Sequence, residues 1–205
     1  NNTVIAIAMY HLNITVNDTV GFHTSGLLTV NVSDTTSPLL SIVLPTNGTS
    51  TTNTSLDLTY TVFDPNLDSC WYTNGSRTTN TTLGGCANIT TITWLEGEHT
   101  VSIWANDTYD NINRTDLLFT IDTIGPSFAA TTNPVFTTIA PVLYDVNATD
   151  STTLDCFSVN DTTNFAMNCT GHLINNTLLT TGIYWVNITV NDTLANQNWT
   201  TFFVN

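Results

Sequence analysis

Recurring markers set the scale of anything this chain can fold into. Asn-Asp-Thr occurs at 17–19, 106–108 and 191–193, each time just after an alternating apolar stretch, with spacings of 89 and 85 residues. A fourth copy, at 160–162, lies outside this register. Asp34-Thr-Thr-Ser-Pro38 matches Asp122-Thr-Ile-Gly-Pro126, 88 residues on. Cys70 matches Cys156 and Cys86 matches Cys169, at spacings of 86 and 83, and Gly97 and Gly182 each precede their Asn-Asp-Thr by nine residues. Independent markers that agree on one period indicate tandem units. The 205 residues divide into a partial unit, 1–33, and two complete ones, 34–121 and 122–205. The partial unit corresponds to the last two or three strands of a whole one, and half a unit cannot bury its own apolar face. Either the missing half lies upstream in a longer polypeptide, or a neighbouring subunit supplies it by strand complementation.

Within each unit the local pattern is that of strands. Leu12-Asn-Ile-Thr-Val-Asn17, Asp57-Leu-Thr-Tyr-Thr-Val-Phe63, Val101-Ser-Ile-Trp-Ala-Asn106 and Val186-Asn-Ile-Thr-Val-Asn191 alternate apolar and polar residues, the period of a half-buried strand. Turn clusters such as Thr46-Asn-Gly-Thr49, Asp64-Pro-Asn66 and Thr73-Asn-Gly-Ser76 separate them, and no segment carries a helical period. Some seven short strands in fewer than 90 residues is the count of an immunoglobulin-like sandwich. The junctions 33–38 and 121–126 are short and contain Pro38 and Pro126, unlike a flexible tether. The predicted fold is all-β: tandem immunoglobulin-like β-sandwich domains arranged as a rod.

The run Asp34–Thr49, the stretch Leu58–Tyr72 and the closing Gly97…Val101-Ser-Ile-Trp-Ala-Asn-Asp-Thr108 resemble the tandem immunoglobulin-like repeats of large prokaryotic, archaeal-type surface proteins. The resemblance covers essentially the whole chain and implies an extracellular array forming a layer, stalk, fibre or adhesin. The second full repeat departs from the pattern at Ser127–Pro134, which is shorter and lacks the Asn-Gly turn, so its first strand is left unassigned.

The second constraint is the number of N-glycan acceptor triplets, Asn-X-Ser/Thr. Eighteen begin at Asn1, Asn13, Asn17, Asn31, Asn47, Asn53, Asn74, Asn80, Asn88, Asn106, Asn113, Asn147, Asn160, Asn168, Asn175, Asn187, Asn191 and Asn198. Random placement of the same Asn, Ser and Thr would give about seven. The excess places the chain outside the cytosol and predicts a sugar coat. Charge does not supply the wet surface: charged residues are 9% of the chain, against roughly 25% in ordinary soluble domains, and there is no Lys. A net charge of −14 with Arg77 and Arg114 as the only basic residues argues against nucleic acid and anionic membrane as partners. No apolar run approaches the roughly 20 residues of a membrane span. The opening residues lack a signal-peptide pattern, which suggests a mature form or a window cut from a longer chain.

Equivalent placement in the repeats predicts disulfides Cys70–Cys86 and Cys156–Cys169, each stapling neighbouring strands. Two cysteines per unit without a paired His do not make a zinc site. On the closing strands Ile14 and Val16 face the core, so Asn13 and Asn17, like Asn187 and Asn191, face outward about 13 Å apart within each pair. The same alternation puts Trp104 and Trp185 outward, each two residues before a sequon, able to stack on sugar or pack against a neighbour. Trp71, Trp94, Tyr60 and Phe63 read as core or sheet-edge residues. Asp34, Asp107, Asp110 and Asp122 lie near the junctions, where cadherin-type repeats hold interdomain calcium. They form no dense ligand series and read as turn caps, so no metal or other cofactor is assigned. His11, His23, His99 and His172 show no metal or catalytic spacing, a lone His23 or His172 base lacks a nameable partner, and Glu96 and Glu98 share one turn. The chain does not read as an enzyme. The leading function is a structural, heavily N-glycosylated extracellular repeat protein that builds a filament or layer with copies of itself or neighbouring repeats. The alternatives are an adhesin or carbohydrate-binding module, and a spacer in a giant secreted protein.

Overall fold

The structure is a computed structural model that describes residues 5–75, 79–130, 133 and 141–205. Among these residues it is all-β, with one 3-10 turn at Gly84–Cys86. Two compact units divide the chain: residues 1–44, 58–89 and 101–116 form one, and residues 45–57, 90–100 and 117–205 the other.

The chain before residue 122 opens with a hairpin, β1 (Ala8–Asn17) and β2 (His23–Val32), paired in continuous register from Ala8↔Val32 to Asn17↔His23. β3 (Leu39–Leu44) pairs with β5 (Thr59–Phe63). β6 (Leu67–Asn74) lies between β7 (Thr81–Leu83) and β8 (Gly97–Asp107). With β4 (Thr49–Thr51) and β9 (Ile112–Ile121), these make a five-stranded sheet in the order β4-β9-β8-β6-β7. The alternation read from the sequence has a direct physical outcome on β8, where Val101, Ile103 and Ala105 are fully buried.

The second unit adds β10 (Ser127–Phe128), β11 (Leu143–Asp145), β12 (Ala148–Thr149), β13 (Leu154–Val159), β14 (Phe165–Met167), β15 (His172–Asn175), β16 (Tyr184–Asp192) and β17 (Gln197–Val204). Two three-stranded sheets, β11-β15-β14 and β13-β16-β17, enclose a core of Val142, Val146, Phe157, Phe165, Leu173, Val186, Ile188, Val190, Phe202 and Val204. Burying each such side chain contributes about 1.5–3 kcal/mol. The unassigned opening of this repeat forms β10, which pairs with β12; its residues 131–132 and 134 lie outside the described residues.

Asn-Asp-Thr has a structural meaning. Its Asp closes the turn after β1, β8 and β16. Asp18, Asp107 and Asp192 each accept, at Oδ1, the amides two and four residues on. In each turn the residue three after the Asp is left-handed: Gly21 (φ 94°), Asp110 (φ 65°) and Ala195 (φ 67°). The copy at 160–162 builds a different turn, in which Asp161 accepts the amides of Thr163 and Asn164.

The hairpin β1–β2 differs from its equivalents in burial. Ile14 and Val16 align with Ile188 and Val190, yet they are 53% and 63% exposed, while Ile188 and Val190 are fully buried. The expectation that they face a core is met in β16 and not in β1.

Candidate functional sites: sequon-bearing strands, disulfides and acidic clusters

Exposure of the acceptor side chain comes first, because a sugar must reach Nδ2. Asn1 lies outside the described residues. Of the other seventeen sequon asparagines none is buried; only Asn106, Asn113, Asn175, Asn187 and Asn191 are half-buried, and the rest are exposed. Sequence reasoning treated Asn13/Asn17 and Asn187/Asn191 as equivalent pairs, and the structure separates them. Asn13 and Asn17 stand open on the hairpin. Asn191 donates Nδ2 to Asp155 at 2.8 Å, and Asn187 has a buried Oδ1 while its amide donates to Asn160 Oδ1 at 2.8 Å. Asn113 and Asn198, at matching places on β9 and β17, donate Nδ2 to the carbonyls of Pro38 and Pro126, both at 2.9 Å. They pin the opening segment of their repeat to its last strand.

The outward tryptophans also separate. Trp185 is 66% exposed and meets Phe203, its cross-strand partner, edge-on at 5.5 Å. Trp104 is half-buried: it stacks on its cross-strand partner Trp71 at 6.2 Å, and the Arg114 guanidinium lies 5.2 Å from its ring centre. Of the residues read as core or edge, Trp94 and Tyr60 are buried, whereas Phe63 is 70% exposed. Trp94 donates Nε1 to the Leu56 carbonyl and meets Phe119 edge-on.

Both disulfides form between the cysteines the repeat pairs, Cys70–Cys86 and Cys156–Cys169. The first staples β6 to the turn after its neighbour β7. The second departs from the expectation. It ties β13 to the turn after β14, and those strands belong to different sheets, because β14 pairs with β15 instead of β13. Structural disulfides of this kind belong to an oxidising compartment.

The structure gathers carboxylates that lie far apart in sequence. Asp34, Asp64 and Asp107 each offer an oxygen within 4.8 Å of the others, and so do Asp122, Asp150 and Asp192. The clusters are equivalent, with offsets of 88, 86 and 85 residues. Sequence reasoning named Asp34, Asp107 and Asp122 but missed Asp64, Asp150 and Asp192; Asp110, which it also named, is in neither cluster. The signal was present, since all three aspartates recur at the repeat spacing. Asp107, Asp122 and Asp192 are buried. The Thr36 amide and then the Asn66 side chain hold the Asp34 carboxyl below its ordinary range. Burial works to raise Asp107, but the bonds from Asn111 and Tyr109 outweigh it and the net shift is downward. Asp122 follows the same logic: burial raises it, and the nearby polar side chains of Thr152 and Ser151 with the Ile124 amide more than offset this. His172, whose partner the sequence could not name, lies against Asp145 on the exposed surface.

No family model and no curated protein matches the chain. Solved structures do. Domains EC1–4 of Drosophila N-cadherin align with 96% of this chain and 57% of theirs, at 16% identity and a TM-score of 0.47. Immunoglobulin domains 1–5 of Sidekick-1 align with 95% of this chain and 46% of theirs, at 11% identity and a TM-score of 0.48. Fibronectin(III)-like modules of Clostridium thermocellum CbhA align with 81% of this chain and 93% of theirs, at 10% identity and a TM-score of 0.38. The chain thus spans about half the length of the first two. At these identities and TM-scores the likeness carries no role for this chain.

Proposed function

We propose that this chain is a structural, heavily N-glycosylated extracellular repeat protein that builds a filament or surface layer. The observation that carries this is the placement of the acceptors: eighteen sequons, and no buried asparagine among the seventeen described. Charged residues are only 9% of the chain, so ionised side chains hydrate little of its surface. The sugar would also cover strand edges, which otherwise invite uncontrolled pairing. Assembly is supported by the hairpin, whose apolar face matches one that is fully buried in β16. Either further repeats of the same polypeptide or a neighbouring copy would complete it. Among the described residues no helix is long and apolar enough to cross a membrane.

The test is glycopeptide mass spectrometry on natively sourced material, with electron microscopy of the same sample. Sugar is expected at the open acceptors, Asn13, Asn17 and Asn31 among them, and more fully than at Asn187 and Asn191. Filaments or sheets are expected in the images. Bare asparagines throughout would end this reading. One observation favours a carbohydrate-binding adhesin as the second reading: the exposed Trp185, backed by the half-buried Phe203, could stack on a free glycan, although a sequon begins two residues away.

A further inference from the structure

We propose that Asp122, Asp150 and Asp192 form a Ca²⁺ site in the second repeat. Three separate segments deliver these carboxylates: the end of β9, the turn after β12 and the end of β16. Their oxygens lie within 4.8 Å of one another, a span that a cation with oxygen ligands at about 2.3–2.6 Å can bridge. Two of the three residues, Asp122 and Asp192, are buried. Among the described residues no basic side chain pairs with them: the ion pairs there, Arg114–Asp116 and His172–Asp145, lie elsewhere.

The deciding detail is Asp122. Its Oδ1 accepts the Ile124 amide at 3.3 Å, and its Oδ2 is buried with no hydrogen-bond partner. A buried carboxylate oxygen without a donor is costly. The first repeat shows how the same position is satisfied without a cation. There Asn66, two residues after Asp64, donates Nδ2 to Asp34 Oδ2 at 2.8 Å. The second repeat has Thr152 at that place, two residues after Asp150. Its hydroxyl donates to Asp150 Oδ1 at 3.2 Å; Thr152 and Ser151 favour the Asp122 carboxylate as nearby dipoles, but neither hydroxyl reaches Oδ2 within hydrogen-bond distance. A divalent cation would take the place at this oxygen that the neutral amide N–H donor of Asn66 takes in the first repeat. The ligand set is all carboxylate oxygen, which suits a hard ion and not zinc or copper. The site lies inside one repeat and none of its three ligands is an acceptor asparagine, although Asp192 is the middle residue of the Asn191 triplet.

Isothermal titration of the EDTA-treated, desalted full chain with CaCl₂ tests the site. One equivalent is expected to bind with Kd on the order of 10⁻⁴ M, as in extracellular modules. Thr152→Asn, which installs the amide the first repeat already carries, is expected to weaken binding at least tenfold. Asp122→Asn is expected to abolish it, and Asp64→Asn in the first cluster to leave it unchanged. The proposal is overturned if the wild-type chain takes up no Ca²⁺ at about 10 mM, well above that range. It is equally overturned if Thr152→Asn and Asp122→Asn bind as the wild type does, or if Asp64→Asn removes the bound equivalent.

Discussion

Ile14 and Ile188 occupy the same place in the same heptapeptide, Asn-Ile-Thr-Val-Asn-Asp-Thr, and differ only in what covers them. Ile188 is fully buried among Val186, Val190 and Phe202; Ile14 is 53% exposed on a two-stranded hairpin. Truncating a buried Ile to Ala costs about 2–5 kcal/mol through lost transfer energy and the cavity left behind. At a half-exposed position much of the side chain is wet already, and surface substitutions stay within about 0.5 kcal/mol. Ile188→Ala is therefore expected to lower the urea midpoint of its unit by on the order of 1–2 M, for a denaturant slope near 2 kcal/mol/M. Ile14→Ala is expected to leave the midpoint of the dispersed chain almost unmoved. In assembled material the order changes, because a covering sheet would make Ile14 a core residue, and Ile14→Ala should then prevent filament or layer formation. Equal midpoint shifts in the dispersed chain would refute the reasoning, since the hairpin face would then be buried already. Assembly indifferent to Ile14→Ala would remove the face from the assembly mechanism.

Other expectations follow from the same geometry. Replacing Cys156 and Cys169 together by Ser opens a 13-residue link and is expected to cost about 3 kcal/mol in the chain-entropy account; calorimetry measures it, and a non-reducing peptide map that joins Cys70 to Cys156 would overturn the repeat alignment. Gly171→Ala places a Cβ 2.1 Å from the Val146 carbonyl at φ +89°. The strain alone is worth about 1–3 kcal/mol, so a variant as stable as the wild type would contradict the backbone path there.

The strands and the cysteine pairing were legible because each leaves a local or periodic trace. Alternation marked β1, β8 and β16, and spacing alone paired Cys70 with Cys86. What escaped depends on cross-strand register or on distant loops. Trp104 read as an outward tryptophan, but only the pairing Trp71↔Trp104 shows that its face is occupied. Asn187 and Asn13 share a motif, and no pattern reveals that Asn160 crosses over one of them. β14 leaves the sheet that its counterpart β7 occupies, so one staple joins neighbours and the other joins sheets. The acidic clusters fell between these cases. Their members recur at the repeat spacing, yet turn-capping accounted for each aspartate singly and hid the set.

The brace that Asn113 and Asn198 make to Pro38 and Pro126 bears on the order of events during biogenesis. In the finished fold these nitrogens donate to main-chain carbonyls, a bond that sugar transfer must displace even at the exposed Asn198, while Asn13 and Asn17 stay open. A saccharide is therefore added to Asn113 or Asn198 more readily before the last strand closes over the opening segment than after it. The ratio of modification between braced and open acceptors would then act as a clock, recording whether decoration or closure came first in each molecule.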